Sequence, residues 1–171
     1  MAKKEIRPIR VVGNIAFVPL TKGYEATIDA ADVPLVAGCS WYATVHEHGA
    51  YATTRERGRD GKWRTKYMHR TIIGDVSAPT IDHKDGNGLN NRRENLRPAT
   101  ASENQRNQRL SVANTSGFKG VTWDRSRARW RANIKVNGRL RFLGSFADIE
   151  GAAAAYAAAS DALHKEFGRI A

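Results

Sequence analysis

Residues 81–104 read IDHKDGNGLNNRRENLRPATASEN. The segment PTIDH that leads into them is typical of a β-strand, KDGNG predicts a turn, and NLRPAT predicts a returning strand. Thr100 and Glu103 form a capping box, in which each side chain accepts a hydrogen bond from the other residue's backbone amide. This box predicts a helix that begins at residue 101 and ends near 109. The stretch therefore predicts strand, long loop, strand and helix in that order.

Three polar residues of this stretch suit phosphodiester hydrolysis, which needs a base to activate water and a cation to stabilise charge. Asp82 offers a carboxylate and Asn104 an amide oxygen, and hard cations such as Mg²⁺ prefer oxygen ligands. His83 offers an imidazole that titrates near neutrality. Adjacent strand residues point to opposite faces, so Asp82 and His83 share one site only where the strand ends or distorts. Asn95 could hold the loop behind His83 through backbone hydrogen bonds.

These residue types alone leave a plainer interpretation open. An Asp-His pair at the end of a strand is usually structural or exposed to solvent. Asparagines beside glycine usually form turns. The chemistry of single residues therefore indicates a catalytic site without establishing one.

The charge of the whole chain points to a polyanionic partner. The 171 residues include 28 Lys and Arg against 17 Asp and Glu, a formal net charge of +11. Between residues 97 and 141 the only acids are Glu103 and Asp124. So focused a field suits a phosphate backbone better than solubility alone, which is the alternative explanation. The bases of this segment are Arg97, Arg106, Arg109, Lys119, Arg125, Arg127, Arg129, Arg131, Lys135, Arg139 and Arg141.

Other features restrict the class of protein. Cys39 is the only cysteine, which excludes a disulfide within the chain and a CxxC zinc site. The N-terminus, MAKKEIRPIR, has no long apolar stretch behind it, so neither a secretory signal nor a membrane span is expected. We therefore expect a soluble, cytoplasmic protein.

We predict an α+β fold in three parts. Residues 1–67 form an N-terminal β-rich region that acts as a scaffold, residues 68–110 hold the strand-loop-strand-helix unit, and residues 111–171 form a three-stranded antiparallel sheet backed by one alanine-rich helix. The predicted strands of the first part are 9–19 with a turn at Gly13-Asn14, 24–28, 40–47, 50–57 and 62–67, with a short helix over 30–37. Those of the last part are 118–123, 129–136 and 139–143, followed by a helix over 148–166.

The segment RWRANIK at 129–135 alternates in a way that suits a sheet with two different faces. Trp130, Ala132 and Ile134 fall on one face and can pack on the alanine-rich helix. The other face carries Arg129, Arg131, Asn133 and Lys135, and Arg and Asn are the side chains that read guanine and adenine edges. The alternative is a solvated basic face without a ligand.

The stretch TIDHKDGNGLNNRRENLRPATASEN, with MHRTIIG before it, resembles the HNH nuclease family in its phage homing-endonuclease form. The resemblance spans 68–108 and implies a ββα-metal fold that binds one divalent cation. It implies His83 as general base, Asp82 and Asn104 as metal ligands, and Asn95 as the organiser of the loop. An Asn in the third motif position, where many members carry His, favours Mg or Mn over zinc.

Other polar residues near this motif receive structural roles. Asn90, Asn91 and Asp85 are expected to shape the loop. His69 is expected to pack in its own helix rather than bind metal. Asn107, one turn along the helix from Asn104, is the reserve ligand.

The pieces SGFKGVTW, RWRANIKVNG, FLGSF and EGAAAAYAAAS resemble the plant ethylene-response-factor (Apetala-two type) DNA-binding domain over residues 115–168. That resemblance implies a sheet that lies in the major groove. Thr122 and Asp124 stand where the plant domains often carry arginines, so base preference does not transfer, and whether Leu140 or Arg141 faces DNA stays open. The residue pattern and this resemblance together predict DNA contact by Arg97, Lys119, Thr122, Asp124, Arg125, Arg127, Arg129, Arg131, Asn133, Lys135, Arg139 and Phe142.

The residues and these resemblances together predict a site-directed DNA endonuclease of the homing type that acts on double-stranded DNA as a monomer or dimer. The resemblance to HNH nucleases also implies a phage-encoded protein. No small-molecule cofactor beyond the divalent metal is expected. Two alternatives remain: a DNA-binding regulator with an inactive nuclease hairpin, and an RNA-processing nuclease or RNA binder. The target sequence and the choice between a nick and a double-strand break are not encoded in any recognisable pattern.

Overall fold

The computed structural model describes residues 6–47, 49–74, 77–107, 110–111, 113–164 and 167. It divides into two compact units, Met1–Pro98 and Ala99–Ala171. Both units contain helices and strands, which confirms the predicted α+β class. The three-part division into domains stays a prediction. No helix in the described ranges combines the length and the hydropathy that crossing a membrane requires.

The first unit contains two three-stranded antiparallel sheets and one two-stranded sheet. The strands of the first sheet, in spatial order, are β1 (Arg10–Val12), β2 (Ile15–Pro19) and β3 (Glu25–Asp29). Those of the second are β4 (Tyr42–His46), β5 (Gly49–Arg57) and β6 (Trp63–Tyr67). The short sheet pairs β7 (Thr80–His83) with β8 (Leu96–Ala99), and the helices are α1 (Val33–Val36) and α2 (Met68–Ile73).

One apolar core joins these elements. The alternation of β2 and β3 turns Ala16, Val18, Ala26 and Ile28 inward, and Met68 and Ile72 of α2 pack against them. Ile81 of β7 and Leu96 of β8 belong to the same core. The residues that immediately follow Ile81 and precede Leu96 are therefore fixed to the main body of the unit.

The second unit contains a short helix, a three-stranded antiparallel sheet and a long helix. Its elements are α3 (Ala101–Asn107), β9 (Val121–Asp124), β10 (Arg129–Val136), β11 (Arg139–Phe146) and α4 (Ile149–His164). Val121, Ala132 and Ala152 form its buried centre. The predicted ends of the two helices, at 108–109 and 165–166, lie outside the described residues.

Local chemistry explains where these elements begin. The predicted capping box is present: the Thr100 amide donates to Glu103 Oε2 at 2.8 Å, and the Glu103 amide donates to Thr100 Oγ1 at 3.2 Å. Asn137 and Gly138 both have positive φ, 51° and 78°, as a tight two-residue hairpin turn requires. The strand predicted over 118–123 begins only at β9, because Gly120 takes a φ of +67° and bends the chain first.

The loop between β7 and β8 approaches β5 closely at Gly88. A Cβ atom added there would lie 2.6 Å from the Ala50 carbonyl oxygen and 2.6 Å from the Tyr51 ring. Such distances leave no room for a methyl group, so only glycine allows this approach. The loop is therefore pressed against the second sheet.

Gly88→Ala should destabilise the protein by about 1–3 kcal/mol, because the methyl group overpacks this contact. Gly38→Ala is the matched control, since a Cβ atom added at Gly38 would meet nothing within 4 Å. Urea unfolding followed by fluorescence measures both. Equal midpoints for the two variants would contradict the packing described.

Candidate active site

Asp82 and His83 are the last two residues of β7, and both are buried, with 3% and 5% of their surface exposed. The strand ends at His83, whose carbonyl accepts a hydrogen bond from the Gly86 amide at 2.8 Å. Gly86 has a φ of +71°, which turns the chain away from the strand. The predicted end of the strand at this position is confirmed.

The imidazole of His83 is oriented by Asn91, a fully buried side chain. Asn91 Oδ1 lies 3.3 Å from His83 Nε2, and Asn91 Nδ2 donates to the Leu89 carbonyl at 3.1 Å. Because Nδ2 is the donor to Leu89, Oδ1 is the acceptor that faces His83, and the contact is a hydrogen bond in the tautomer that carries the ring proton on Nε2. In that tautomer the lone pair of the ring is on Nδ1. The sequence assigns Asn91 only to loop shape and does not predict this orienting contact.

Burial lowers the pKa of His83. The hydrogen bond to Asn91 and the carboxylates of Asp85 and Asp82 act in the opposite direction but do not cancel it. The ring is therefore neutral at physiological pH and able to accept a proton.

Asn95 is the centre of the loop that follows His83. Its Oδ1 accepts from the Asp85 amide at 3.1 Å, and its Nδ2 donates to Asp85 Oδ1 at 3.0 Å and to the Asn90 carbonyl at 2.8 Å. Two of these three contacts are with the backbone of the loop, as expected from the sequence, and the catalytic role of Asn95 stays a prediction. Burial raises the pKa of Asp85, but hydrogen bonds from Asn87, Asn90 and Asn95 outweigh it and the net shift is downward. The side chain of Asp85 is therefore ionised at neutral pH.

Arg97 occupies a different position from the one expected of a DNA contact. Its Nε donates to Asp82 Oδ2 at 2.8 Å, its Nη2 lies 2.7 Å from the same oxygen, and both side chains are buried. The guanidinium compensates the charge of a carboxylate that has been removed from water. A DNA-binding role for Arg97 stays a prediction, and this pairing does not favour it.

Two further rings surround His83. The His69 ring lies 5.1 Å from that of His83 at 88°, and Tyr51 lies 5.8 Å away at 62°. His69 is buried at the start of α2, as expected, and burial together with nearby His83 and Arg70 lowers its pKa to about 3. No sequence signal points to Tyr51, which is 32 positions from His83 and lies on a different sheet, so only the packing of the two sheets brings the rings together.

The first sheet clamps the loop from the other side. The Thr27 amide donates to the Leu89 carbonyl at 2.9 Å, and the Asn91 amide donates to the Thr27 carbonyl at 2.7 Å. Asp29 binds Arg92 Nε at 3.1 Å and the Arg93 amide at 2.8 Å. Strand β3 therefore supports the loop directly, and the scaffold role of residues 1–67 as a whole stays a prediction.

Comparison with known proteins identifies this region. A sequence profile described as HNH endonuclease matches residues 74–106. Protein 3.8 of Escherichia phage T7 is 38% identical over 90 residues, which are 53% of this chain and 74% of that protein. Residues 74–106 therefore contain an HNH endonuclease domain. The chain is also similar to the "Uncharacterized HNH endonuclease L560" of Acanthamoeba polyphaga mimivirus, at 28% identity over 158 residues, 91% of this chain and 73% of that protein. No solved structure matches it significantly.

The HNH family generally uses a divalent metal ion, and the donors of this chain fit a hard cation. Asp82, whose Oδ2 accepts from Arg97, offers a carboxylate. Asn104, on α3 in the second unit, is half-buried and offers an amide oxygen, and Asn107 is buried. Within the described ranges no three His, Cys, Asp or Glu side chains form a metal-binding group. Few protein ligands and several waters are typical of Mg²⁺ sites. The ligand roles and the identity of the metal stay predictions.

The sheet of the second unit has the two faces that the sequence predicted. Ala132 and Ile134 are buried, whereas Arg129 and Lys135 are exposed and Arg131 is half-buried. Asn133, another predicted DNA contact on this sheet, is half-buried. The remaining predicted contacts on the sheet and its turns are exposed: Thr122, Arg125, Arg127, Arg139 and Phe142.

The pairing of β10 with β11 decides between Leu140 and Arg141. Leu140 pairs with Lys135 and therefore lies on the basic face, where 71% of its surface is exposed. Arg141 pairs with Ile134 and lies on the helix side of the sheet, exposed at its edge. If the basic face binds DNA, Leu140 is the residue that points toward it.

Two predicted contacts of this sheet have partners within the second unit. Asp124 accepts from Ser126 and Arg127, which lowers the pKa of the carboxyl to about 2 and keeps it charged. It also lies 3.7 Å from Arg131 Nη1. Lys119 Nζ donates to the Arg106 carbonyl at 2.8 Å. DNA-binding roles for Asp124 and Lys119 stay predictions.

Arg97→Ala should destabilise the protein by about 3–5 kcal/mol, because it leaves the buried Asp82 carboxylate without its guanidinium. Arg10→Ala removes an exposed pair with Glu25 at 3.3 Å and should cost less than about 1 kcal/mol. Urea unfolding at neutral pH compares the two. A small loss in both variants would contradict the structural role of the buried pair.

His69 should make the stability of the fold depend on pH. Its pKa is about 3 in the folded chain and about 6.5 when unfolded, so the unfolded chain takes up the proton first as pH falls. Stability from this group is complete above pH 6.5 and about 1.4 kcal/mol is lost at pH 5.5. His69→Phe keeps a ring but cannot titrate, and should lack that part of the loss when urea unfolding is compared at pH 8 and pH 5.5. Identical losses in both proteins would rule out a buried neutral His69.

Proposed function

We propose that this chain is a site-directed DNA endonuclease of the homing type, in which His83 activates the water that hydrolyses a phosphodiester. The observation that carries the proposal is the state of His83 at the end of β7. Its ring is neutral, its Nε2 is held by Asn91, and its surroundings fix the ring plane. A preorganised neutral imidazole is what general-base catalysis needs.

In the proposed reaction, His83 Nδ1 accepts a proton from water as the oxygen attacks phosphorus in line with the departing 3′ oxygen. The positive ring that results lies near the carboxylates of Asp82 and Asp85, which favour that charge. Asn91 Oδ1 continues to accept from Nε2 throughout. General bases of this type contribute about 10²–10⁴ to the rate.

The divalent cation of the family, when bound, supplies positive charge to the phosphate and the leaving oxygen. Asp82 and Asn104 are the residues that would hold it. Mg²⁺ or Mn²⁺ suits these oxygen donors. Asn95 acts on this chemistry indirectly, by fixing the loop that follows His83.

The basic face of the second unit is proposed to hold double-stranded DNA. Arg129, Arg131 and Lys135 would contact phosphates or base edges, and the Arg131 guanidinium lies 5.1 Å over the Phe142 ring, which restricts its direction. Contacts of this kind make binding depend strongly on salt. The plant-type resemblance of this unit supports the same role.

One observation favours the second candidate function, a DNA-binding regulator with an inactive hairpin. Arg97 places a positive charge 2.7 Å from Asp82 Oδ2, where it disfavours a second cation nearby. Incubation of supercoiled plasmid with Mg²⁺, with EDTA as the control, separates the two functions. Nicked or linear product only with Mg²⁺ identifies the nuclease, and unchanged plasmid that is nevertheless bound identifies the regulator.

His83→Ala should reduce cleavage by at least about 100-fold while the affinity for DNA stays within a factor of about two, because the base is lost but no phosphate contact is. His46→Ala, a change of the same type at the exposed end of β4, should cleave normally. Plasmid nicking measures the rate, and fluorescence anisotropy measures the affinity. If His83→Ala cleaves DNA as fast as the unmodified protein, His83 is not the general base.

A further inference from the structure

The β5–β6 hairpin has two faces of different chemistry. Register pairs Arg57 with Trp63 and Arg55 with Thr65, and Thr53 with Tyr67. Since paired residues share a face and alternate residues along a strand do too, all six lie on the same side of the sheet. We call Arg55, Arg57, Trp63 and Tyr67 the hairpin face.

The hairpin face is continuous with the active site. Tyr51 lies on the same side of β5, four residues before Arg55. Its ring lies 5.8 Å from that of His83 and 6.1 Å from that of Tyr67. The strand therefore leads directly from the residue that contacts the base to the arginines at the hairpin end.

Exposure and charge make this face suited to a polyanion. Arg55 and Arg57 are exposed, and Trp63 and Tyr67 expose 57% and 36% of their surface. The hairpin as a whole carries six bases against two acids, the bases being Arg55, Arg57, Arg59, Lys62, Arg64 and Lys66 and the acids Glu56 and Asp60.

The opposite face of the same hairpin is different. Arg64 forms an ion pair with Asp60 at 2.7 Å, and Lys66 forms one with Glu56 at 3.1 Å. Both acids of the hairpin, Asp60 and Glu56, thus form ion pairs with bases that do not belong to the hairpin face. Arg55 and Arg57 lie on the other side of the sheet from these two ion pairs, the side that continues to His83.

We propose that the hairpin face binds the phosphate backbone of the DNA duplex beside the scissile phosphate, a second contact surface in addition to the basic sheet of the second unit. Arg55 and Arg57 neutralise phosphates, and Trp63 and Tyr67 pack against sugars or exposed bases. The proposal rests on the proposed function, since it takes His83 as the point of cleavage.

Geometry sets the distance covered by this contact. Four to six residues of strand separate Tyr51 from the two arginines, which is roughly 13–20 Å at about 3.3 Å per residue. A duplex that lies along the strand rises about 3.4 Å per base pair, so the hairpin reaches phosphates roughly four to six base pairs from the cut. Protection of DNA should extend that far on one side.

The test compares two double variants in a His83→Ala background, which prevents cleavage during binding. Arg55→Gln/Arg57→Gln removes two charges from the hairpin face, and Arg64→Gln/Lys66→Gln removes two from the opposite face. Binding to a fluorescein-labelled random-sequence DNA duplex is followed by anisotropy between about 50 and 200 mM salt. Thermal unfolding confirms that both variants are folded, and Arg55→Lys/Arg57→Lys, which retains charge, provides a second measurement.

The first variant should bind about tenfold or more weakly, with a slope of log affinity against log salt reduced by about 1.8 in magnitude, because two phosphate contacts are lost. The Lys variant should retain most of that slope. The opposite-face variant should change affinity by less than about threefold. Equal losses from both faces, loss from neither, or no duplex binding by the parent protein would each overturn the proposal. Stronger competition by duplex RNA than by DNA would also overturn it.

The outcomes separate this inference from the nuclease proposal. Plasmid cleavage by the unmodified chain tests the nuclease, and binding by the His83→Ala variants tests the hairpin face. If the plasmid stays intact while the hairpin variant binds weakly, the nuclease proposal fails and a binding surface remains. If the plasmid is cut and both double variants bind alike, the hairpin proposal fails alone.

Discussion

The hydrogen bonds of Asn95 to Asp85 and Asn90 of its own loop are the constraint on which the site depends. They join Asp85 to Asn90 across a segment rich in glycine and asparagine, which has little stability of its own. With that loop fixed, Asn91 reaches Nε2 of His83 and sets the tautomer of the ring. Burial then lowers the pKa of the imidazole and keeps it neutral. The buried side chains of Asn91 and Asn95 thus hold the neutral ring of His83 in place through a polar network.

Support for this loop comes from parts of the chain that lack any catalytic signature. Thr27 and Asp29 of β3 hold one side, and the close approach at Gly88 presses the other against β5. Asp32 holds Arg93 through hydrogen bonds of 3.0 Å to Nε and 2.8 Å to Nη2. Contacts with two sheets thus fix the conformation of a loop that contains no regular secondary structure.

Features that depend on neighbouring residues are predicted well by the sequence, and those that depend on pairing between distant residues are predicted poorly. The capping box at Thr100, the Asn137-Gly138 turn and the end of the strand at His83 are local, and each is present. The proximity of Tyr51 to His83 depends on how sheets pack, and no local pattern encodes it. Charge alone assigns Arg97 to DNA, and only the fold reveals its buried partner. The position of Leu140 likewise needs the strand register.

The long-range clamp has a consequence for protein engineering. The HNH segment 74–106 is not structurally self-sufficient, because Arg92 and Arg93 donate to the carboxylate of Asp29, which lies on a strand 63 and 64 positions upstream of them. A chimera that transplanted only that segment onto another targeting module would leave Asp29 and Thr27 behind. The smallest segment that could be transferred to another protein is therefore one that begins at the first sheet and includes both sheets that contact the loop.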